Sequence, residues 1–107
     1  MTNITFYIKS DNTIVGFKSK GHAEFSRRGT DIVCASVSIL LIYTINSIER
    51  LTGDRCNYKI NDRRATIDFE MDTYGEHSQT LLKALRLGVE GIAGEYPGNV
   101  TIKIEEV

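Results

Sequence analysis

One histidine and one cysteine, twelve residues apart, are the first candidates for chemistry in this chain. His22 and Cys34 lie within the stretch "GHAEFSRRGTDIVCASVS", residues 21–38. A histidine within hydrogen-bonding reach of a cysteine is the minimal arrangement of a nucleophile and its base. The intervening segment could fold back and bring the two together, or it could leave the histidine exposed to water. The spacing alone leaves both possibilities open.

The local pattern around Cys34 favours a reactive thiol on electrostatic grounds. We expect a long helix capped by Thr30 or Asp31, with Cys34 in its first turn. Unpaired N–H groups and the helix dipole favour negative charge there, and the thiolate is the reactive form of cysteine. The alternative is structural, because free cysteine is among the most buried residue types and packs as a small hydrophobe.

Two polar residues share the helical face of Cys34, namely Asp31 three residues before it and Ser38 four residues after it. Asp31 could cap the helix, orient His22 or hold the loop. Neighbouring anions oppose each other's ionisation, so a catalytic Asp31 would act through His22 and not on the sulfur. Ser38 could donate a hydrogen bond into the site or bond to its own preceding carbonyl.

The remaining residues do not indicate a metal or a cofactor. Two cysteines and two histidines, at positions 22, 34, 56 and 77, contain no short-spaced ligand pair of the kind that zinc sites use. No phosphate-binding loop is present, since the only "GxxG" runs lie within a predicted helix. Cys56 is most simply a strand residue and His77 a solvated residue before the second helix.

Composition and charge place the chain among ordinary globular proteins. Its 107 residues predict a single domain over residues 1–107, and its net charge of −1 argues against a broad basic surface for nucleic acid. No apolar run is expected to reach the ~20 residues that span a bilayer, and the N-terminus does not resemble a signal peptide. With only two cysteines, we expect free thiols and a cytoplasmic protein with neither membrane nor direct nucleic-acid partners.

Alternating apolar residues predict five strands. Ile4, Phe6 and Ile8 share one face of the first strand, and turn residues at 10–13 connect it to a second strand with Val15 and Phe17 inward. Three more strands are expected in the segments "CNYKI", "ATIDFEM" and "NVTIKIEEV", with Ala65, Ile67, Phe69, Met71, Val100, Ile102 and Ile104 inward.

Two amphipathic helices separate these strands. The first runs through "DIVCASVSILLIYTINSIERL" with an inward stripe, and the second covers residues 78–96. The inward residues are Val33, Val37, Leu40, Leu41, Ile45, Ile48 and Leu51 in the first helix, and Leu81, Leu82, Leu85, Val89, Ile92 and Tyr96 in the second. Gly88, Gly91 and Gly94 of the second helix indicate either tight internal packing or a subunit contact.

The resulting order is ββαββαβ. Such an order predicts an α/β (α+β) two-layer sandwich, in which a mostly antiparallel sheet has two helices packed on one face. The strand order within the sheet does not follow from the pattern.

The opening stretch also resembles a family signature. "GHA" followed by "G-x-DIVCA-x-VS" is similar to the motif of the ribosomal-processing cysteine protease (Prp) family, and the resemblance extends over the whole chain. It implies a cysteine protease domain in which Cys34 is the nucleophile and His22 its general base and acid. It further implies that Gly21, Asp31 and Ser38 support the site. A loop that covers the substrate would include Phe25, Arg27, Arg28 and Gly29. Phe25 and Ser36 stand where the family pattern leads us to expect Tyr and Ala.

The same resemblance implies a substrate and an assembly. Members of the family remove a short N-terminal extension from a large-subunit ribosomal protein, cut after an aromatic residue and form homodimers. In the implied mechanism, backbone N–H groups at the helix start stabilise the oxyanion. The main alternative is a non-catalytic adaptor that binds a ribosomal protein in the same pocket. An RNA-binding domain and a thiol redox protein are further alternatives, against which stand the mild acidity and the lack of a CxxC motif.

Overall fold

The structure, a computed structural model, describes residues 1–21 and 28–107, and the side chains of residues 1–21 and 32–107. Its element order is ββαββαβ, as predicted. The elements are β1 (Thr2–Ile8), β2 (Ile14–Lys20), α1 (Arg28–Leu51), β3 (Cys56–Asn61), β4 (Thr66–Met71), α2 (Glu76–Glu95) and β5 (Val100–Glu106).

The five strands form one sheet in the order β3-β4-β2-β1-β5. The pairs β1–β2, β2–β4 and β3–β4 are antiparallel, and β5 pairs with β1 in parallel. The sheet is therefore mixed and mostly antiparallel, which agrees with the expected fold class. β2 lies at the centre, between β1 and β4.

An aromatic row crosses the covered face of the sheet. Phe6, Phe17 and Phe69 come from three adjacent strands, with ring centroids 6.1 Å and 5.0 Å apart along the row. Both helices contribute buried residues to the same core, which confirms that they pack on one face. The helical members of this core are Val33, Val37, Leu41, Ile45, Ile48, Leu82, Leu85 and Val89.

A β-bulge changes the predicted facing of β2. The register shifts between Tyr7 and Ile8, so that Ile8 pairs with Ile14 while Tyr7 pairs with Gly16. Ile14 is consequently buried, and Val15 is left half-buried along a depression on the uncovered face of the sheet. The prediction of an inward Val15 was wrong, since an extra residue in one strand breaks the two-residue period.

Three residues predicted to face inward are exposed at the ends of their elements. Leu51, the last residue of α1, is 75% exposed. Ile104 is 44% exposed on the edge strand β5, although Val100 and Ile102 of that strand contact the core. Tyr96 is 45% exposed directly after the last residue of α2. Periodicity assigns a face to a residue but does not show where the covering layer stops.

Part of α1 satisfies the length and composition of a membrane-spanning helix. Ile32–Leu51 has 20 residues and a mean hydropathy of 1.7, contrary to the expectation that no segment would qualify. The inner residues Val37, Leu41 and Ile45 of this segment pack in the core against the sheet. The core helix of a soluble protein meets the same criterion, so the finding is weak evidence for a membrane span.

Asp54, in the connection between α1 and β3, organises the start of α2. Its carboxylate accepts hydrogen bonds from the Gly75 N–H at 2.9 Å, the Thr73 hydroxyl at 2.9 Å and the Ser78 hydroxyl at 2.5 Å. Gly75 is the N-cap of α2 and has no side chain, so Asp54 supplies the capping oxygen from a distant segment. A Cβ at residue 75 would collide with this carboxylate, which explains the glycine.

The same contacts should make stability depend on pH through Asp54. The Ser78 and Thr73 hydroxyls and the Gly75 N–H hold the pKa of the Asp54 carboxyl below its ordinary value of 3.8. A carboxyl group with a lowered folded-state pKa stabilises the fold above its unfolded pKa. That contribution is lost as the pH falls through the folded-state pKa.

We therefore expect Asp54→Asn to lower the melting temperature at pH 7 by roughly 5 °C. The difference from the wild type should begin to shrink below about pH 4, near the unfolded-state pKa, and should vanish only below the lower folded-state pKa, where the folded wild-type carboxyl is also neutral. Melting curves between pH 2.5 and 7 measure it, with Glu105→Gln, the loss of an exposed carboxylate on β5, as the control. A difference that stays constant with pH would contradict the capping role of the charge.

Candidate functional site

Cys34 occupies the edge of the core on α1. It is 3% exposed and lies one helical turn before Val37, which is fully buried. Since residues three or four apart share a helical face, the packing of Val37 and Leu41 also determines where the Cys34 side chain points. Both cysteines are free thiols, as expected.

The helix begins earlier than the sequence indicates. α1 starts at Arg28, so Thr30 and Asp31 lie inside it and Cys34 is its seventh residue, beyond the first turn. The predicted caps were wrong because acidic residues are favoured throughout the first turn as well as at the cap position. Arg28 and Gly29, assigned to the substrate loop, belong to the first turn of α1.

A groove of about 300 Å³ opens beside Cys34. One wall is α1, and the facing wall is the end of β2 together with the β3–β4 hairpin, residues 56–71. The described residues that line it are Ser19, Gly21, Cys34, Ala35, Ser38, Ile42, Ile60, Asn61, Asp62, Ala65, Thr66 and Ile67. The structure thus brings together three of the residues singled out in the sequence, namely Gly21, Cys34 and Ser38.

Ser38 lines the groove and differs from other hydroxyl residues of α1 in its hydrogen bonding. Ser36, Thr44 and Ser47 of α1 each donate to the carbonyl oxygen four residues earlier, at 2.8 Å. No residue in the described part of the chain receives a hydrogen bond from Ser38. The interpretation of Ser38 as a serine bonded to its own helix is therefore not what the structure shows.

Gly21 follows Lys20, the last residue of β2, in a conformation that requires glycine. Its φ of 93° lies in the left-handed region, where residues with a Cβ are strained. A Cβ at this position would also collide with the backbone carbonyl of Met1. The residue before His22 is therefore held in a form that no other amino acid adopts at comparable cost.

Several predicted site residues lie outside the description. His22, Phe25 and Arg27 belong to residues 22–27, which the structure does not describe, and the side chains of Arg28 and Asp31 are likewise outside it. Their roles, and the distance between His22 and Cys34, stay predictions. Among the described residues, no group of three or more histidine, cysteine or acidic side chains could hold a metal ion.

Cys56 differs from Cys34 in its surroundings. Partial burial and, to a smaller extent, the nearby negative charges of Glu49 and Asp72 raise the pKa of the Cys56 thiol above its ordinary value of 9.0. This thiol therefore stays protonated near neutral pH and is a poor nucleophile. Cys56 can therefore be used as an internal reference in experiments on the reactivity of Cys34.

Sequence reasoning missed the hairpin wall of the groove. The residues between the two predicted strands "CNYKI" and "ATIDFEM" were assigned no role, yet Asn61, Asp62 and the nearby Ala65 face Cys34 across the groove. They reach this place because β4 pairs with β2, whose end carries Gly21. No local pattern contains that pairing, so no sequence signal could have identified them.

The chain is similar to a set of bacterial proteins over nearly its whole length. The family model described as cysteine protease Prp matches residues 1–101. The ribosomal processing cysteine protease Prp of Staphylococcus aureus is 25% identical over 103 residues, covering 95% of this chain and 97% of the relative. The Bacillus subtilis protein of the same name is 26% identical over 107 residues, covering 95% and 96%.

Two solved structures share the fold. SMU.848 from Streptococcus mutans superposes with a TM-score of 0.88 at 28% identity, covering 100% of this chain and 96% of its own. The S. aureus Prp in complex with a substrate peptide has a TM-score of 0.91 at 24% identity, covering 98% and 100%. The ββαββαβ arrangement described above is therefore that of an experimentally known fold.

The groove geometry predicts that a bulky residue beside Cys34 will block access to it. Ala35 is exposed and lines the groove, so Ala35→Phe should leave the fold intact and slow alkylation of Cys34 by a large maleimide about tenfold. Site-resolved mass spectrometry measures the rate. Ser36→Phe, on the outer face of the same turn, is the matched control and should react like the wild type. Equal rates in both variants would contradict the groove as the route to the sulfur.

Proposed function

The chain belongs to the cysteine protease Prp family and is a cysteine protease, and we propose that it removes a short N-terminal extension from a large-subunit ribosomal protein. The observation that carries the proposal is the position of Cys34, a buried helical thiol that opens on a groove large enough for a substrate side chain. The names of its bacterial relatives, ribosomal processing proteases, support the class of substrate.

In the proposed reaction, the Cys34 sulfur attacks the scissile carbonyl carbon and forms a tetrahedral intermediate. Collapse of this intermediate breaks the C–N bond and leaves a thioester on Cys34. His22 accepts the thiol proton and donates a proton to the departing amine. Water then attacks the thioester with His22 as base, which releases the acid product and restores the thiol.

We propose a donor for the oxyanion other than the N–H groups at the helix start. Cys34 is the seventh residue of α1, so its own N–H donates within the helix and is not free. The free N–H groups at the helix start belong to residues 28–31, a full turn away. The Ser38 hydroxyl, which lines the groove, is a donor close to the sulfur-bearing residue and supports the site in this proposal.

The groove suits a peptide with an apolar residue before the cut. Ile42, Ile60 and Ile67 supply apolar surface, while Asn61 and Thr66 offer polar groups to a peptide backbone. An aromatic side chain before the scissile bond, as the family resemblance implies, would use the apolar part. The segment that includes Phe25 and Arg27 would cover the bound peptide, with Gly21 as its hinge and Asp31 orienting His22.

We also place the enzyme in the cytoplasm as a homodimer. The free thiols fit a reducing compartment. Ile32, Ile39 and Tyr43 form a strip on the outer face of α1 and are 61%, 67% and 66% exposed. No described atom lies within 4 Å of a Cβ built on Gly91 or Gly94, which supports a contact with another molecule for these two glycines, whereas Leu40 lies 3.7 Å from a Cβ built on Gly88. An apolar helical surface of this kind is suited to a second copy of the chain.

Loss of the proposed nucleophile provides the central test. Cys34→Ala should lower cleavage of a peptide that spans the precursor's processing site by at least about a thousandfold, because the acyl-enzyme cannot form. Cleavage is followed by chromatography and mass spectrometry of both products. Cys56→Ala, which removes the other thiol, should retain activity. Undiminished cleavage by Cys34→Ala would exclude Cys34 as the nucleophile. Binding of the peptide without cleavage by the wild type would support the adaptor instead.

Removal of the proposed base should change the reactivity of the thiol itself. His22→Ala should slow alkylation of Cys34 by iodoacetamide near pH 7 by about tenfold, since less of the sulfur is present as thiolate. His77→Ala removes the other histidine, which lies in α2, and is the control. Unchanged rates in His22→Ala would exclude His22 from activating Cys34 while leaving the nucleophile assignment intact.

A further inference from the structure

The peptide group between Gly21 and His22 is anchored by a residue that the family motif does not include. We propose that the Thr2 hydroxyl is a positioning group for catalysis, acting on His22 through the carbonyl of Gly21. The inference rests on the proposed role of His22 as the base for Cys34. It concerns a contact between β1 and the end of β2, both within the described part of the chain.

The contact is a partly buried side-chain hydrogen bond at the end of the β1–β2 ladder. Asn3 pairs with Lys20, so the antiparallel register places Thr2 opposite Gly21. The Thr2 hydroxyl donates to the Gly21 carbonyl oxygen at 3.2 Å, and Thr2 is 1% exposed. Its own N–H donates to the Asn99 carbonyl oxygen at 2.9 Å, which fixes the donor from the far side.

A second bond holds Gly21 from the opposite side. Its N–H donates to the Ala65 carbonyl oxygen at 3.0 Å, which extends the β2–β4 pairing one residue past Lys20 and Thr66. Ala65 itself has a φ of 54°, a conformation that is uncommon for a residue with a side chain. Gly21 is therefore fastened between two neighbouring strands, and its own φ of 93° is fixed by both.

These bonds reach His22 through covalent geometry. The carbonyl of Gly21 and the nitrogen of His22 belong to one planar peptide unit, so holding the oxygen orients the bond from which His22 extends. A base must lie within hydrogen-bonding reach of the proton that it takes. Errors of about 1 Å in such placement can lower rates by as much as a hundredfold. The donor residue Thr2 is 1% exposed, so the Thr2 side chain itself is fixed within the core.

The decisive variant is Thr2→Val, which removes the hydroxyl and keeps the branched shape. It should lower kcat for the precursor peptide about tenfold with little change in KM, because the loss affects chemistry more than peptide binding. The pH profile of Cys34 alkylation should move towards that of His22→Ala. Thr2→Ser, which restores the hydroxyl, should recover most of the wild-type rate and profile.

Thr44→Val is the matched control. Thr44 is also buried, and its hydroxyl donates a single bond to the Leu40 carbonyl at 2.8 Å, well along α1 from Cys34. Its replacement should cost comparable stability without changing the pH profile. If Thr2→Val behaves like Thr44→Val, or if Thr2→Ser fails to restore activity, the inference is wrong although the protease assignment stands. If Cys34→Ala still cleaves the peptide, the proposed function itself fails.

Discussion

The packing of α1 across the phenylalanine row of the sheet is the constraint on which the rest of the molecule depends. Val37, Leu41, Ile45 and Ile48 follow one another at helical spacing and are at most 1% exposed. Burying each such side chain contributes about 1.5–3 kcal/mol, as an upper estimate. Rotating the helix to present another face would forfeit most of that energy. Cys34 lies on the same stripe, so the core determines the orientation of the thiol before any active-site contact is considered.

In the proposed chemistry, the thiol is carried by the rigid helix α1 and the base His22 follows the end of β2. The influence of a helix dipole falls off within the first turn, and α1 begins six residues before Cys34. Electrostatic help from the helix start is therefore weaker than the sequence alone indicates. In the proposed reaction, more of the activation therefore comes from the base His22. This dependence makes the geometry of Gly21, the last described residue before His22, matter for reactivity as well as for folding.

The inward faces of strands and helices could be predicted from the sequence, whereas the pairing of the strands could not. The alternation of Ile4, Phe6 and Ile8 and the stripe of α1 identified the correct inward faces, because each depends only on local geometry. The strand order and the parallel pairing of β5 with β1 depend on contacts between distant segments. The same limit explains the missed hairpin wall of the groove. The prediction that Val15 faces inward was wrong for a different reason, because one β-bulge inverts an otherwise regular alternation of side chains.

Cys34, His22 and the supporting residues Gly21, Asp31 and Ser38 were predicted from their residue types and the family motif, whereas the proposed role of Thr2 came only from the structure. A sequence motif identifies the residues that react or lie next to the reacting atoms. The groups that orient them are chosen by topology, and here β2 is the central strand, bonded on both sides up to its last residue. A chain leaving a central strand starts from a better-defined point than one leaving an edge, because neighbours restrain it from two directions. The proposed base His22 follows directly after Gly21 and so starts from that defined point. Because the Cys34 thiol is fixed in a packed helix, its partner must be positioned equally well.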